Sequence, residues 1–396
     1  MHIKEFCGSW MEHPFWRSGF IVTDPKDIEK IRKSSIEEVW IDNDKGADIS
    51  ASEKALSEFE SEHQVDAELR AEAARNRQLG RVPVSAELDR AAKICTQSER
   101  AVMSMFQEAR MGKAVDASGA QRLVQEITDS VTRNPGALIS LARLKTADDY
   151  TYMHSVAVSA LMIALARQLG LSEEETRLAG LAGLVHDLGK AMMPSEVLNK
   201  PGKLTDEEFA IIKGHPEEGY KLLLEGNGAN EAMLDVCLHH HEKVNGTGYP
   251  KGLKGPEISL FAKMGAVCDV YDAITSNRPY KAGWDPAESL RQMATWAEGH
   301  FDPAIFQAFV KSLGIYPIGS LVRLSSGRIG IVIDQSKKSL LSPVVKVFFS
   351  TLANARIMPE MVDLSLPGCQ ERISDREDPG KWNFPDLDEL WQGKPE

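Results

Sequence analysis

Residues 85 to about 315 carry helical patterns almost throughout, and several of their apolar stripes include histidine or aspartate. In one such pattern His154 recurs at helical spacing with Val158, Leu161 and Leu165, so its ring is expected to face the core. Burying a polar group is costly unless the group finds a partner. The region therefore predicts a bundle of helices with polar side chains gathered inside it.

Two further helices carry polar residues on their inner stripes. In the helix that ends near residue 241, His240 points inward, while His239 lies about 100° away around the axis. In a later helix Asp269 and Asp272 share the buried stripe. A single inward histidine is most often a hydrogen-bonded core residue. Several histidines together with two buried aspartates indicate metal ions, and imidazole and carboxylate ligands suit iron, manganese, nickel or zinc.

The candidate ligands include two pairs of adjacent residues, His186-Asp187 and His240-His241. The two members of such a pair cannot both point inward from the middle of a helix, because neighbouring side chains diverge by about 100°. They are compatible with a helix end, where the backbone turns, and glycine follows each pair closely. Lys190 lies four residues after His186 and could reach a phosphate held on the metals. The alternative for Lys190 is an ordinary solvated lysine beyond a helix end.

Composition limits the classes of partner. The net charge is −12, which disfavours non-specific binding to nucleic-acid polymers or to an anionic membrane. The five cysteines are scattered without a CxxC pair, as expected for free thiols in a reducing cytoplasm. The start of the chain lacks a signal-peptide pattern, and the apolar run 156–166 is too short to span a bilayer. We therefore expect a cytoplasmic protein that does not enter a membrane.

The fold class predicted is mainly α, with a helical bundle core between two smaller regions. Residues 1–50 are expected to form a small α/β module, and residues 51–84 a polar linker. Residues 85–315 are expected to form the helical region that carries the candidate metal ligands, and residues 316–396 a β extension with a polar, loosely attached tail.

Local signals support this division. "FIVTD" (20–24) and "EEVWID" (37–42) are typical of strands, with a short helix between them at 24–34. Capping boxes are predicted at Ser172 and Thr205 and plainer N-caps at Ser85 and Asp302. A turn-rich loop at 243–257 interrupts the helices. The segments "SLVRL", "GIVIDQ" and "VVKVFFS" are typical of strands in the C-terminal region.

The motifs, taken in order, resemble those of the HD-GYP family of cyclic di-GMP phosphodiesterases. They are "HS" (154–155), "HDLGK" (186–190), "GHPEEGY" (214–220), "HHE" (240–242), "NGTGYP" (245–250) and "DVYDAITSNRPY" (269–280). The resemblance covers about residues 145–315. "GSWMEHPFW" (8–16) is similar to a small domain often found before HD-GYP domains, and "YPIGSLVRLSSGRIG" (316–330) to the family's frequent C-terminal extension. The expected fold is an HD-type helical bundle.

The resemblance also implies a set of metal ligands. One metal would be held by His154, His186, Asp187 and Asp269. The second would be held by His215, His240 and His241, with Asp187 bridging the two. The resemblance thus implies two divalent transition-metal ions, with iron or manganese favoured over nickel or zinc.

Other positions carry implied roles next to the metals. Lys190 and Arg278 match contacts to substrate phosphate, and Asp187 with Lys190 forms the catalytic pair. Tyr249 lies in the GYP element and is expected to bind substrate, while Asp272 and Glu242 are expected to support ligands from behind. The sequence departs from the family at two positions. Asn245 replaces the usual aspartate before Gly246, and Tyr150 stands where members with a third metal carry glutamate, so Tyr150 is expected at most to bind substrate.

The function implied is metal-dependent hydrolysis of cyclic di-GMP to pGpG by a hydroxide that bridges two metals, and the sequence leaves open whether hydrolysis continues to GMP. Protein partners are expected at the GYP loop or the N-terminal module. Two alternatives stay open at this point: an HD hydrolase of another nucleotide, and a catalytically idle cyclic di-GMP sensor that acts through protein contacts. A substrate panel separates the first, and the complete ligand set argues against the second.

Overall fold

The computed structural model forms two compact units, Met1–Ala67 and Glu68–Glu396. Its description covers residues 2–7, 20–22, 26, 28, 38–41, 81–113, 117–144, 150–200, 202–277, 283–336, 339–382 and 384–392. In that part of the chain no helix is long and apolar enough to cross a membrane.

The N-terminal unit contains an antiparallel sheet with the strand order β2-β1-β3. Its strands are β1 (His2–Cys7), β2 (Phe20–Ile21) and β3 (Glu38–Ile41). The strands predicted at 20–24 and 37–42 are confirmed, whereas the central strand β1 was not predicted. In the predicted helix at 24–34 only Lys26 and Ile28 are described, both helical. Most of the predicted linker lies outside the described residues.

The second unit begins with a bundle of helices. They are α1 (Val84–Arg110), α2 (Ala120–Arg133), α3 (Pro135–Arg143), α4 (Tyr150–Gln168), α5 (Glu173–Val185), α6 (Ser195–Leu198), α7 (Asp206–Ile212), α8 (His215–Glu225), α9 (Glu231–His239), α10 (Leu260–Thr275), α11 (Pro286–His300), α12 (Pro303–Leu313) and the C-terminal α13 (Leu387–Gln392). The mainly α fold class is therefore confirmed, with strands at both ends of the chain.

Helix α4 lies at the centre of the bundle and packs against α1, α3, α5 and α10. The stripe of Val158, Leu161 and Leu165 is fully buried, and so is His154 near the start of the same helix. Burying apolar side chains in this way stabilises the fold by about 1.5–3 kcal/mol for each large residue. The predicted stripe therefore fixes which face of α4 carries His154 into the interior.

Most of the predicted helix starts are confirmed. Ser172 and Thr205 both form complete capping boxes, with Glu175 and Glu208 as their partners. Asp302 caps α12 by accepting from two backbone N–H groups, with Pro303 in the first turn.

The predicted N-cap at Ser85 is wrong. Helix α1 begins at Val84, and Pro83 precedes it without a side-chain cap. Glu87 is fully buried in the first turn, where it accepts hydrogen bonds from Ser130 and Arg133. The start of this helix is therefore held by a tertiary ion pair, which the local pattern did not reveal.

The C-terminal strands form an antiparallel sheet in the order β7-β6-β5-β4-β8. Its strands are β4 (Leu321–Leu324), β5 (Arg328–Asp334), β6 (Val344–Ser350), β7 (Ala355–Asp363) and β8 (Ile373–Arg376). The three strands predicted here, β4 to β6, are confirmed, while β7 and β8 were not predicted.

The expected loose attachment of the C-terminal tail is wrong. Leu390 and Trp391 are buried, and they join the same apolar core as the helical bundle. Trp382 stacks on Phe384, and Arg356 of β7 pairs with Asp386. The tail is mostly polar, but the burial of a few large apolar side chains stabilises its attachment to the bundle. The average hydropathy of the segment does not reveal this contribution.

Candidate metal centre

Helix ends bring the candidate ligands together. His186 follows the last residue of α5, and Asp187 comes next, before a 3-10 turn at Leu188–Met192. His215 opens α8, and His240 directly follows α9. The expectation that adjacent ligand pairs lie where helices end is confirmed for both pairs. At such positions two neighbouring side chains can converge, which the middle of a helix forbids.

Close backbone packing supports this convergence. A Cβ atom at Gly189 would lie 1.9 Å from the carbonyl oxygen of His215, and one at Gly219 would lie 2.5 Å from Sγ of Cys237. Both distances are far below van der Waals contact. Only glycine therefore lets the turn after Asp187 approach α8, and this approach sets the position of His215 relative to Asp187.

Three side chains form the first ligand group, which we call group A: His154, His186 and Asp269. All three are buried. Nε2 of His154 lies 2.9 Å from Oδ1 of Asp269, and Nε2 of His186 lies 3.9 Å from the same oxygen. His154 is also hydrogen bonded behind the site, since its Nδ1 lies 2.6 Å from Oδ2 of Asp272.

Four side chains form the second ligand group, which we call group B: Asp187, His215, His240 and His241. Nε2 of His215 lies 3.2 Å from Oδ1 of Asp187 and 3.4 Å from Nε2 of His240. The other carboxylate oxygen of Asp187 faces group A, 3.4 Å from Nε2 of both His154 and His186. Asp187 therefore contacts both groups, one through each oxygen.

Backbone carbonyls fix the orientation of three of these rings. The Nδ1 atom of His186 donates to the carbonyl of Gly183, and that of His215 donates to Ile212. The Nδ1 atom of His240 donates to the carbonyl of Val236. A carbonyl oxygen only accepts hydrogen bonds, so each Nδ1 carries a proton and Nε2 is left to face the interior.

The atoms left facing the interior fit a metal ion. Nε2 of His186 and Oδ1 of Asp187 are buried and make no hydrogen bond within the described structure. Leaving such atoms without a partner is costly. The lone pairs of Nε2 in His215 and His240 face each other and an oxygen of Asp187, an arrangement that a cation would stabilise. The donor set of imidazole and carboxylate matches divalent transition metals.

The electrostatics of the centre keep its ligands in the forms that bind metals. Burial lowers the pKa of His240 well below its ordinary value, and it lowers the pKa of His241 to about 3. Although burial alone would raise it, Lys190 and His186 hold the pKa of Asp187 well below its usual range. Metal ions bind neutral imidazole and ionised carboxylate, so these side chains are held in the protonation states that bind a metal.

The pKa of His154 is shifted in the opposite direction from those of His240 and His241. Burial alone would lower its pKa, but hydrogen bonds with Asp269 and Asp272 raise it. Asp272 in turn accepts a hydrogen bond from Ser276, at 3.2 Å. The pair of Asp272 and Ser276 was only partly foreseen, since Ser276 carried no predicted role. Its position one helical turn after Asp272 is the signal that could have revealed it.

The GYP loop is held by a buried carboxylate. Glu242 accepts hydrogen bonds from the backbone N–H groups of Lys251, Gly252 and Leu253 at 2.7–3.1 Å. The loop places the ring of Tyr249 on that of His241, with the ring centroids 4.7 Å apart. Glu242 thus supports the loop backbone, and through it Tyr249, at the edge of group B.

Asn245, where the family usually carries aspartate, still serves the loop. Its Oδ1 accepts hydrogen bonds from the backbone N–H of Thr247 at 3.0 Å and from the hydroxyl of Thr247 at 2.6 Å. An amide oxygen can make both contacts as a carboxylate would. This departure therefore leaves the turn intact.

The remaining predicted site residues fall into two sets. Nζ of Lys190 lies 2.5 Å from Oδ2 of Asp187, so the lysine belongs to the centre. His239 points elsewhere, to Asp235 at 2.8 Å, as its helical register predicted. Arg278 and the side chain of Tyr150 lie outside the described residues.

A helical bundle with a buried imidazole–carboxylate centre defines the class of HD-domain proteins, and a family model described as an HD domain matches residues 128–305. A second model, a domain of unknown function (DUF3391), matches residues 1–120. A cyclic di-GMP phosphodiesterase from Pseudomonas aeruginosa is 52% identical over 99% of this chain and 93% of its own length. The response regulator RpfG of Xanthomonas campestris, also a cyclic di-GMP phosphodiesterase, is 37% identical over 53% of this chain and 56% of its own length.

A 3′3′-cGAMP-specific phosphodiesterase from Vibrio cholerae is 35% identical over 41% of this chain and 38% of its own length. The near full-length match to the Pseudomonas protein decides the family. The chain belongs to the HD-GYP family of cyclic di-GMP phosphodiesterases.

Proposed function

We propose that this protein is a metal-dependent phosphodiesterase that opens cyclic di-GMP to the linear dinucleotide pGpG. The observation that carries the proposal is the pair of ligand groups joined by Asp187, whose two oxygens face one group each. The near full-length similarity to a cyclic di-GMP phosphodiesterase supports the choice of substrate.

The residues that would hold two divalent ions follow from the two groups. Group A, with one oxygen of Asp187, would hold one ion, and group B, with the other oxygen, would hold the second. Bound ions would supply Lewis acidity toward phosphate oxygens and lower the pKa of a coordinated water. The nitrogen and oxygen donors are compatible with iron or manganese, and also with nickel or zinc.

Lys190 would stabilise charge on the reacting phosphate. Its side chain is 23% exposed and its ammonium group lies against Asp187, so the ammonium is oriented toward the centre and the side chain is partly shielded from water. A diester gains negative charge as the new bond to phosphorus forms, and a fixed ammonium nearby stabilises that charge. Arg278 remains a proposed second contact to phosphate.

Tyr249 would form part of the substrate-binding wall. Its ring stacks on His241, and Glu242 holds the loop that carries it. Burial raises the pKa of the Tyr249 phenol, so it stays protonated and can donate a hydrogen bond to a phosphate or a base. Tyr150 stays a proposed substrate contact, and protein partners on the GYP loop or the N-terminal module stay a prediction.

The test is direct hydrolysis by purified protein. The protein is prepared without oxygen, its metal content is measured, and it is incubated with cyclic di-GMP while products are separated by chromatography. We expect pGpG to form in a metal-dependent way, with about two ions per chain. Later conversion of pGpG to GMP is followed in the same assay.

The substrate panel includes 3′3′-cGAMP, because one relative is specific for that dinucleotide. Preferential hydrolysis of 3′3′-cGAMP or of another nucleotide would contradict the choice of substrate. Tight binding of cyclic di-GMP by the metal-loaded protein, without turnover, would instead favour a sensor.

A further inference from the structure

Lys213 lies at the edge of the metal centre and was given no role by the sequence. It directly follows α7 and precedes His215 of group B by two residues. Its Nζ atom lies 5.5 Å from the ring centroid of Tyr249 and 4.8 Å from that of Phe209. Because Tyr249 stacks on His241, the lysine is linked through one aromatic ring to a metal-ligand candidate.

Lys213 differs from two other lysines near the centre, which are paired with carboxylates. Lys190 is paired with Asp187 at 2.5 Å, and Lys251 with Glu217 at 2.8 Å. Lys213 is exposed, and among the described residues it makes no ion pair. Phe209 is exposed and Tyr249 is partly exposed, and a cation over such rings is held only weakly. The ammonium can therefore leave the rings for an anion without breaking a strong contact.

The substrate supplies such an anion. Cyclic di-GMP carries two phosphodiesters, each with one negative charge, and only one of them can react at the ions at a time. The other diester remains charged and must lie near the centre, because the two are joined in one small ring. In a protein of net charge −12 that second charge needs a local cation.

We propose that Lys213, positioned over Tyr249, binds the diester of the substrate that is not being hydrolysed. This inference rests on the proposed function. It makes Lys213 a specificity residue that favours a dinucleotide with two diesters over a molecule with one. Lys213 stays outside the bond-breaking step, so its contribution is to binding.

The experiment compares two substrates in the metal-loaded protein: cyclic di-GMP, with two diesters, and bis(p-nitrophenyl) phosphate, with one. We expect Lys213→Gln to raise KM for cyclic di-GMP about ten-fold with little change in kcat, as for the loss of one hydrogen bond to a charged group. The same variant should hydrolyse bis(p-nitrophenyl) phosphate as the wild type does. Lys213→Arg, which keeps the charge, should restore KM for cyclic di-GMP.

Lys221→Gln is the matched control, because Lys221 lies on α8 but is exposed and paired with Glu218. It should leave both substrates unchanged. An unchanged KM for cyclic di-GMP in Lys213→Gln, or an equal loss on both substrates, would overturn the role of Lys213. Failure of the wild type to hydrolyse cyclic di-GMP, with bis(p-nitrophenyl) phosphate still cleaved, would overturn the proposed function instead.

Discussion

Groups A and B offer similar atoms but are held in different ways. In group A, His154 and Asp269 project from the interiors of α4 and α10, and a second carboxylate, Asp272, supports His154. In group B, His215 and His240 lie at the ends of α8 and α9, where backbone carbonyls orient their rings. His154 and Asp269 of group A therefore depend on helix interiors and side-chain support, whereas group B, like His186 of group A, depends on helix ends.

The difference has a consequence for protons. A carboxylate beside a histidine favours its charged form, whereas a carbonyl and a dry environment favour the neutral form. Accordingly the pKa of His154 is raised by Asp269 and Asp272 against the effect of burial, while burial lowers the pKa of His240. The pKa of His154 in group A and that of His240 in group B are therefore shifted in opposite directions.

The largest effect is expected from Asp187→Ala, because Asp187 contacts both groups. Hydrolysis of cyclic di-GMP should fall below detection, and metal content should fall toward zero. Loss of activity with both ions retained would show that Asp187 does not join the two groups. Elemental analysis and a product assay on the same preparation measure the two quantities together.

His240→Ala should damage group B more than group A. We expect the variant to lose one ion. Loss of a residue that only supports a metal ligand typically lowers activity about 10–100-fold, and loss of the ligand His240 itself should lower it further. His239→Ala is the matched control, since the neighbouring ring pairs with Asp235 instead. If both variants lost metal equally, the assignment of His240 to group B would be wrong.

Lys190→Ala separates catalysis from metal binding. The ammonium contacts Asp187 without being a metal-ligand candidate, so both ions should stay bound. We expect kcat for cyclic di-GMP to fall about 100-fold, as for other lost donors to a transition-state oxyanion. Unchanged turnover would favour a solvated lysine with no part in the reaction.

Asp272→Asn tests the carboxylate support that distinguishes group A. The amide keeps the size of the side chain but removes the charge beside His154. We expect affinity for one ion to fall about ten-fold and the other to change little. Equal weakening of both ions in a metal titration would contradict the separate support of the two groups.

The smallest expected effect is a difference in proton uptake between His154 and His241 in the metal-free protein. In a histidine NMR titration, we expect His154 to lose its proton above its ordinary pKa, and His241, whose pKa burial lowers to about 3, to stay neutral at pH 5. Unfolding returns His241 to an ordinary pKa of about 6.5. The unfolded state then binds more protons between these values, so this histidine makes stability fall as pH decreases from about 6.5 toward 3. A common titration of both rings near 6.5 would remove the distinction between the groups.

Local sequence determined a large part of this protein. Helical spacing placed His154 and His240 on buried faces and His239 outside, because the rotation per residue is fixed by the backbone. Capping boxes at Ser172 and Thr205 followed from local hydrogen bonds alone. The order of the motifs along the chain indicated the family. The structure brings the seven predicted ligands into two adjacent groups.

Tertiary structure decided what depends on distant contacts. The start of α1 relies on Arg133 and Ser130, far along the chain from Glu87, so the local pattern gave the wrong cap. The polar tail is held by Leu390 and Trp391, whose burial depends on the bundle they meet. The sharing of Asp187 between two groups and the position of Lys213 over Tyr249 also arise only when separate helix ends converge. Sequence spacing fixes direction along one helix, but distances between helices are set by packing.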